Sequence, residues 1–187
     1  MLERVFAVKD LGFHLTPSLS FQNHINITIG KALKVLDFIK RNTTNFTSIP
    51  CLHVLYFTLV RSILEYGIIV WHPYLAKDQL RLDRVQNRFL AYVAFLLKIP
   101  YPQHDYTSIS STLNVPSFAS RRRDADISFI TSLIKGTIDA PDLLSTISFR
   151  VPLYPTRSHS LFYIPTHLTN YNYNQPIHRM LRFLNSS

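Results

Sequence analysis

Polymerases and nucleases hold magnesium between closely set carboxylates, and the closest such pair here is Asp124 and Asp126. Two residues apart on a helix, these side chains point in different directions and cannot share one metal. The remaining acids are scattered. The eight histidines, at 14, 24, 53, 72, 104, 159, 167 and 178, make no pair at the three- or four-residue helical spacing that metal sites use. Cys51 is the single cysteine, which excludes an intrachain disulfide and a Cys-based zinc site within one chain. No Ser or Cys nucleophile stands beside a base, and with 4 glycines there is no Gly-rich phosphate loop. These residues predict binding rather than catalysis: no catalytic residue, no metal, no cofactor and no small-molecule substrate.

Cations are the more informative group. Lys77, Arg81, Arg84 and Arg88 are spaced four, three and four, which places them on one stripe of a helix. Such a stripe can track a phosphate backbone, each contact adding affinity through counterion release. An ordinary solvated face has the same composition, and Asp78 and Asp83 dilute the stripe. Arg121, Arg122 and Arg123 form a second cluster at a helix start, where the dipole disfavours cations and Asp124 and Asp126 offer partners. Tyr154, Phe162, Tyr163, Tyr171 and Tyr173 mix with Arg157, His159 and His167, a composition suited to stacking on bases. Gluing the tail to a helical core is the preferred reading of those aromatics.

The elements that would carry these groups follow from composition and period. Hydrophobic residues make up 47% of the 187 and charged residues 17%, enough to build a packed core. The net charge of +9 points to a polyanion, with nucleic acid ahead of an anionic membrane. The apolar run Leu52 to Trp71 contains Arg61 and Glu65, so it reads as a buried helix and not a membrane span. Charges at Glu3, Arg4, Lys9 and Asp10 argue against a signal peptide, and an intracellular protein of cytoplasm or nucleus is expected.

A strand is expected within Arg4 to Leu15, as one arm of a hairpin, and Ser20 is a candidate cap for the first helix. That helix runs from Phe21 to Arg41, with Ile25, Ile29, Ala32, Leu33, Leu36 and Ile39 on one face. A second spans Ile49 to Val70, in which Arg61 and Glu65 can pair and Gly67 either permits close packing or ends the helix. A third covers Ala76 to Leu97, with Leu82, Val85, Phe89, Val93 and Leu96 toward the core. A helical turn at Ser108 to Leu113 follows, then a helix from Phe118 to Lys135 stopped by Gly136. A short helix at Pro141 to Thr146, a strand-like Ser148 to Leu153, an irregular stretch from Pro155 to Gln175 and a last helix from Pro176 to Leu184 complete the chain.

Several segments, taken in order, resemble one family. Val8-Lys9-Asp10-Leu11-Gly12-Phe13 with Leu19-Ser20-Phe21-Gln22-Asn23-His24-Ile25 resembles the hairpin that follows the palm in jockey-like, non-LTR retrotransposon reverse transcriptases. The run Leu55 to Gly67 with Val70-Trp71-His72-Pro73 resembles their thumb helix, and Arg81 to Leu90 the helix after it. Ser120 to Asp124 resembles a downstream Arg-Arg segment, and Asn170, Pro176 and Asn185 fall where that family has a similar ending. The resemblance implies an RNA-directed DNA polymerase as parent. It also implies a mainly α fold, a helical thumb-like bundle with a short N-terminal β-hairpin remnant and an irregular C-terminal extension.

The implied segments are residues 1–20 as palm and primer-grip hairpin remnant, 21–98 as the thumb-like region, 99–153 as a downstream helical region and 154–187 as the extension. Leu11 and Gly12 become candidates for holding a primer end. The aromatic-Ala-Asp-Asp motif and the earlier palm Asp of that family do not occur, nor does a Cys/His knuckle. A fragment without its own polymerase activity, binding an RNA–DNA hybrid or RNA through its basic helix face, is therefore expected. An unrelated basic helical module that binds a protein partner is the alternative.

Overall fold

The computed structural model describes residues 8–18, 20–45, 48–102, 105–151 and 160–186. The chain is mainly helical, opens on a two-stranded hairpin and divides into two compact units, Met1–Ala119 and Ser120–Ser187.

In the first unit β1 (Val8–Asp10) pairs antiparallel with β2 (Phe13–Leu15) around the two-residue turn Leu11–Gly12. Both turn residues have positive φ, 44° and 86°. That conformation matches the twist of the flanking strands, and glycine supplies it without strain at the second position only. The expected strand was to begin further upstream, on residues outside the described ones.

Helix α1 (Gln22–Asn42) starts one residue after the expected position, and the Ser20 hydroxyl accepts the Gln22 backbone N–H at 3.3 Å. Ile25, Ile29, Ala32, Leu36 and Ile39 are buried as their spacing predicts. Gly30 lies inside this continuous helix, at a place where an added Cβ would meet nothing within 4 Å. Gly30→Ala should therefore stabilise the chain by about 1 kcal/mol through helix propensity alone. Urea unfolding checks this, and a loss of stability would reveal a packing role for the open space.

The second expected helix is broken. It runs as α2 (Ile49–Leu55), a π-helical segment (Tyr56–Arg61) and α3 (Ser62–Glu65). A turn at Tyr66–Gly67 follows, and then α4 (Ile68–Trp71). The side chains that reach the core are Leu52, Tyr56, Val60, Leu64 and Ile68, each fourth residue and none more than 4% exposed. In a pure α-helix a period of four drifts by about 40° per step. The wider π turn, with its i→i+5 bonds, rotates the opposite way and holds the row on one side. Arg61 reaches Glu65 at 2.7 Å, the pairing expected from their spacing, and lies 4.5 Å above the Phe57 ring.

Helix α5 (Ala76–Leu97) has the expected bounds. It runs beside α1 in the same direction: Gln22 Nε2 donates to Asp78 at 3.0 Å near one end, and Thr43 and the Tyr92 hydroxyl lie 2.8 Å apart near the other. Tyr56 stacks on Phe89 at 4.1 Å between the broken helix and α5. Helix α6 (Thr107–Thr112) and the residues after it add Ile109, Leu113, Val115 and Phe118 to this core.

The second unit takes in most of α7 (Phe118–Ile134), which ends before Gly136 in the left-handed region at φ 71°. After α8 (Pro141–Ser145) come β3 (Ser148–Phe149) and its antiparallel partner β4 (Phe162–Tyr163). Helices α9 (Asn170–Tyr173) and α10 (Pro176–Asn185) close the chain. The stretch read as irregular thus holds a strand and a helical turn, each too short to show a period. Ile130, Leu133, Ile147, Phe162, Met180 and Leu181 are buried here. The Asn185 side chain accepts the Phe162 N–H at 3.1 Å and donates to the Phe162 carbonyl at 3.0 Å, the pair of hydrogen bonds a neighbouring strand would make. Across this unit the Asp126 carboxylate, 0% exposed, takes two bonds from Arg179, 2.9 Å from Nε and 3.0 Å from Nη2. The same guanidinium donates to the Asn174 carbonyl at 3.2 Å.

Candidate nucleic-acid interface

Helix α5 holds its cations in place by burying the opposite side. Leu82, Val85, Phe89, Leu90, Val93 and Ala94 are all within 1% of full burial, while Leu96, expected in the core, is half-buried. Lys77, Arg84 and Arg88 are exposed along the outer face. At 1.5 Å of rise per residue, the eleven steps from Lys77 to Arg88 cover roughly 16 Å, about five phosphate intervals of one strand along a duplex axis.

Arg81 is the exception in the stripe. Its Nη1 lies 3.3 Å from the buried Asp78 carboxylate and donates to Asn26 Oδ1 at 2.8 Å, tying α5 to α1. Asp78, which in the sequence diluted the stripe, is 2% exposed and serves as an internal acceptor for Gln22 and Arg81. Asp83 is half-buried.

The neighbouring helix adds a cation that sequence spacing on α5 alone could not supply. Lys40 Nζ lies 5.7 Å from the centre of the Tyr92 ring. Its pKa is lowered, first by burial and also by Arg88, with Asp37 opposing. Arg88 thus bears on a cation of the adjacent helix, with Asp37 of that helix acting against it. The signal available in the sequence was the basic end of α1, Lys40-Arg41.

The hairpin is seated against the turn of the broken helix. The Tyr66 hydroxyl donates to the Leu11 carbonyl at 3.0 Å, and the Tyr66 ring stacks on Phe13 at 5.6 Å. Gly67, at φ 59°, leaves the space that Phe13 fills: a Cβ there would lie 2.2 Å from the ring. Gly12 likewise makes room for Tyr66, 3.2 Å from where its Cβ would be. Beneath this contact His24 is 5% exposed, with Trp71 at 5.1 Å and Phe13 at 5.5 Å between ring centres. Its pKa is lowered by burial first, then by His14 and Lys31. The turn itself, Leu11–Gly12, stays open to solvent, with Leu11 77% exposed.

Of the second basic cluster, Arg121 and Arg122 are buried and Arg123 is exposed, with its guanidinium 5.3 Å from the Phe183 ring centre. Burial removes Arg121 and Arg122 from a solvent-facing phosphate row. Among the tail aromatics Phe162 is buried against Phe149, whereas Tyr163, Tyr171 and Tyr173 are exposed. Tyr154, Arg157 and His159 lie outside the described residues.

Among the described residues no group of three or more His, Cys, Asp or Glu is arranged to hold a metal, and no helix is long and apolar enough to cross a membrane. Comparison with protein-family models, characterised proteins and solved structures finds no match.

Proposed function

We propose that this chain corresponds to the thumb and post-thumb part of a non-LTR, jockey-like retrotransposon reverse transcriptase, and that it grips the backbone of an RNA–DNA hybrid without polymerising. The row of solvent-facing cations on α5, Lys77, Arg84 and Arg88, supports the reading. Fixed on a helix packed into a core, these charges meet phosphates without ordering a loop, so little backbone conformational entropy is lost on binding. They carry no base-reading geometry, and recognition is of backbone rather than sequence. The open Leu11–Gly12 turn is where the resemblance would put the primer end. Polymerisation needs the paired palm aspartates, which this sequence does not contain.

The test is the salt dependence of hybrid binding. Replacing Lys77, Arg84 and Arg88 together by Gln should flatten the slope of log affinity against log salt by roughly 2 to 3, the effect of losing about three phosphate contacts. Stability should hardly change, because exposed charges contribute little to folding. Arg81→Gln alone should do the reverse: lose stability by stripping a partner from the buried Asp78, and leave most of the slope in place. An unchanged slope in the folded triple variant overturns the backbone-grip reading. So does tight, salt-insensitive capture of an acidic protein by a chain that ignores the hybrid.

A further inference from the structure

We infer that His167, His178 and Arg182 form a binding site for a small oxyanion of the phosphate class, separate from the α5 face and independent of the reading of it. The segment after β4 carries His167 to within 4.6 Å of the His178 ring on α10. Arg182 is one helical turn beyond His178 on the same side of α10. Its guanidinium lies 3.6 Å above the Tyr173 ring, and one of its nitrogens donates to the Tyr173 carbonyl.

Three nitrogens of this cluster, His167 Nε2, His178 Nδ1 and Arg182 Nη1, are buried with no hydrogen-bond partner. Leaving such groups unsatisfied is costly. An oxyanion satisfies several at once, because each of its oxygens accepts from more than one donor.

The charge around the cluster fits an anion and not a cation. No Asp or Glu occurs after Asp142 in the sequence. Of the unit's four acids, Asp124, Asp139 and Asp142 are exposed, and Asp126 is occupied by Arg179 on α10. The groups facing His178 are therefore His167, Arg182 and the Asn172 backbone. Burial, His167 and Arg182 hold its pKa down, while a hydrogen bond to the Asn172 backbone works the other way. Without an anion, proton uptake here meets only like charge. With one, an imidazolium N–H faces a negative oxygen. The three nitrogens are buried, so a ligand reaches them only as the side chains around them shift, a step open to a small free ion and not to a polymer backbone.

The experiment is a titration of the full chain by proton NMR, following the His167 and His178 imidazole signals with pH. It is run in chloride and in inorganic phosphate at equal ionic strength. Phosphate should raise the apparent imidazole pKa of both by about half a unit or more, since an adjacent anion favours the charged form. The difference between the two buffers should be confined to these two rings. Arg182→Lys should weaken the effect on His178, and His167→Gln should weaken it further while leaving the salt slope of RNA binding unchanged. Imidazole pKa values that ignore phosphate overturn the site. A His167→Gln variant that loses RNA affinity in step also overturns it, since the donors would then serve a polymer. Zinc binding that strengthens as pH rises and excludes phosphate would identify a metal pair instead.

Discussion

Gly67→Ala is expected to cost about 3 kcal/mol and to unseat the N-terminal hairpin. Two effects add. The residue sits at φ 59°, where a side chain costs roughly 1 to 2 kcal/mol. The new Cβ would also stand 2.2 Å from Cζ and 2.6 Å from Cε1 of Phe13, a separation that forces the ring out. Once Phe13 moves, its stacking on Tyr66 and its contact with His24 go with it. Hydrogen exchange should show the hairpin amides losing protection while those of α5 keep theirs. The double variant Phe13→Ala/Gly67→Ala separates the two terms, because it removes the collision and keeps the backbone strain. The second substitution should then cost only about 1 kcal/mol in that background. If Gly67→Ala is neutral, the hairpin is not held by this contact.

A loss of similar size is expected in the other unit on breaking the Asp126–Arg179 pair. The carboxylate is fully buried and the guanidinium nearly so, with two nitrogens of one facing two oxygens of the other. Asp126→Ala and Arg179→Met each take one side from this buried pair, and each should cost about 3 kcal/mol. The joint replacement Asp126→Leu/Arg179→Met removes both charges and should cost much less than the sum, since desolvation of the pair is relieved at the same time. Denaturant unfolding of the four chains gives the coupling directly. Additive losses would show that the two residues act through different partners.

These two expectations rest on features of very different legibility. Helices α1 and α5 were readable because more than twenty residues each carry an apolar period of three and four, long enough to outvote local exceptions. The Arg61–Glu65 bridge was readable because both partners lie on one helix. Asp126 and Arg179 are 53 residues apart, and no local pattern joins them; the nearer arginines 121 to 123 offered a more obvious match. His167 and His178 are brought together by a chain reversal rather than by helical spacing. The strand β4 has two residues and takes part of its pairing from the Asn185 side chain, so alternation could not betray it. Of the cation stripe, Lys77, Arg84 and Arg88 are exposed, yet spacing could not tell Arg81, engaged with Asp78 and Asn26, from these neighbours.

The break in the second helix was the one large departure, and in retrospect its sign was present. Leu52, Tyr56, Val60, Leu64 and Ile68 keep a strict interval of four, where an α-helical stripe alternates threes and fours. The π-helical turn houses one residue more between Tyr56 and Val60 than an α-helical turn would. Deleting one residue there leaves intervals of four, three and four from Leu52 to Leu64, the stripe of an ordinary helix. A length change, which elsewhere in this helix would rotate every downstream side chain by about 100°, is at this point a reversible edit. The segment that holds the hairpin seat can thus lose a residue at this turn and still present the same face to α1 and α5.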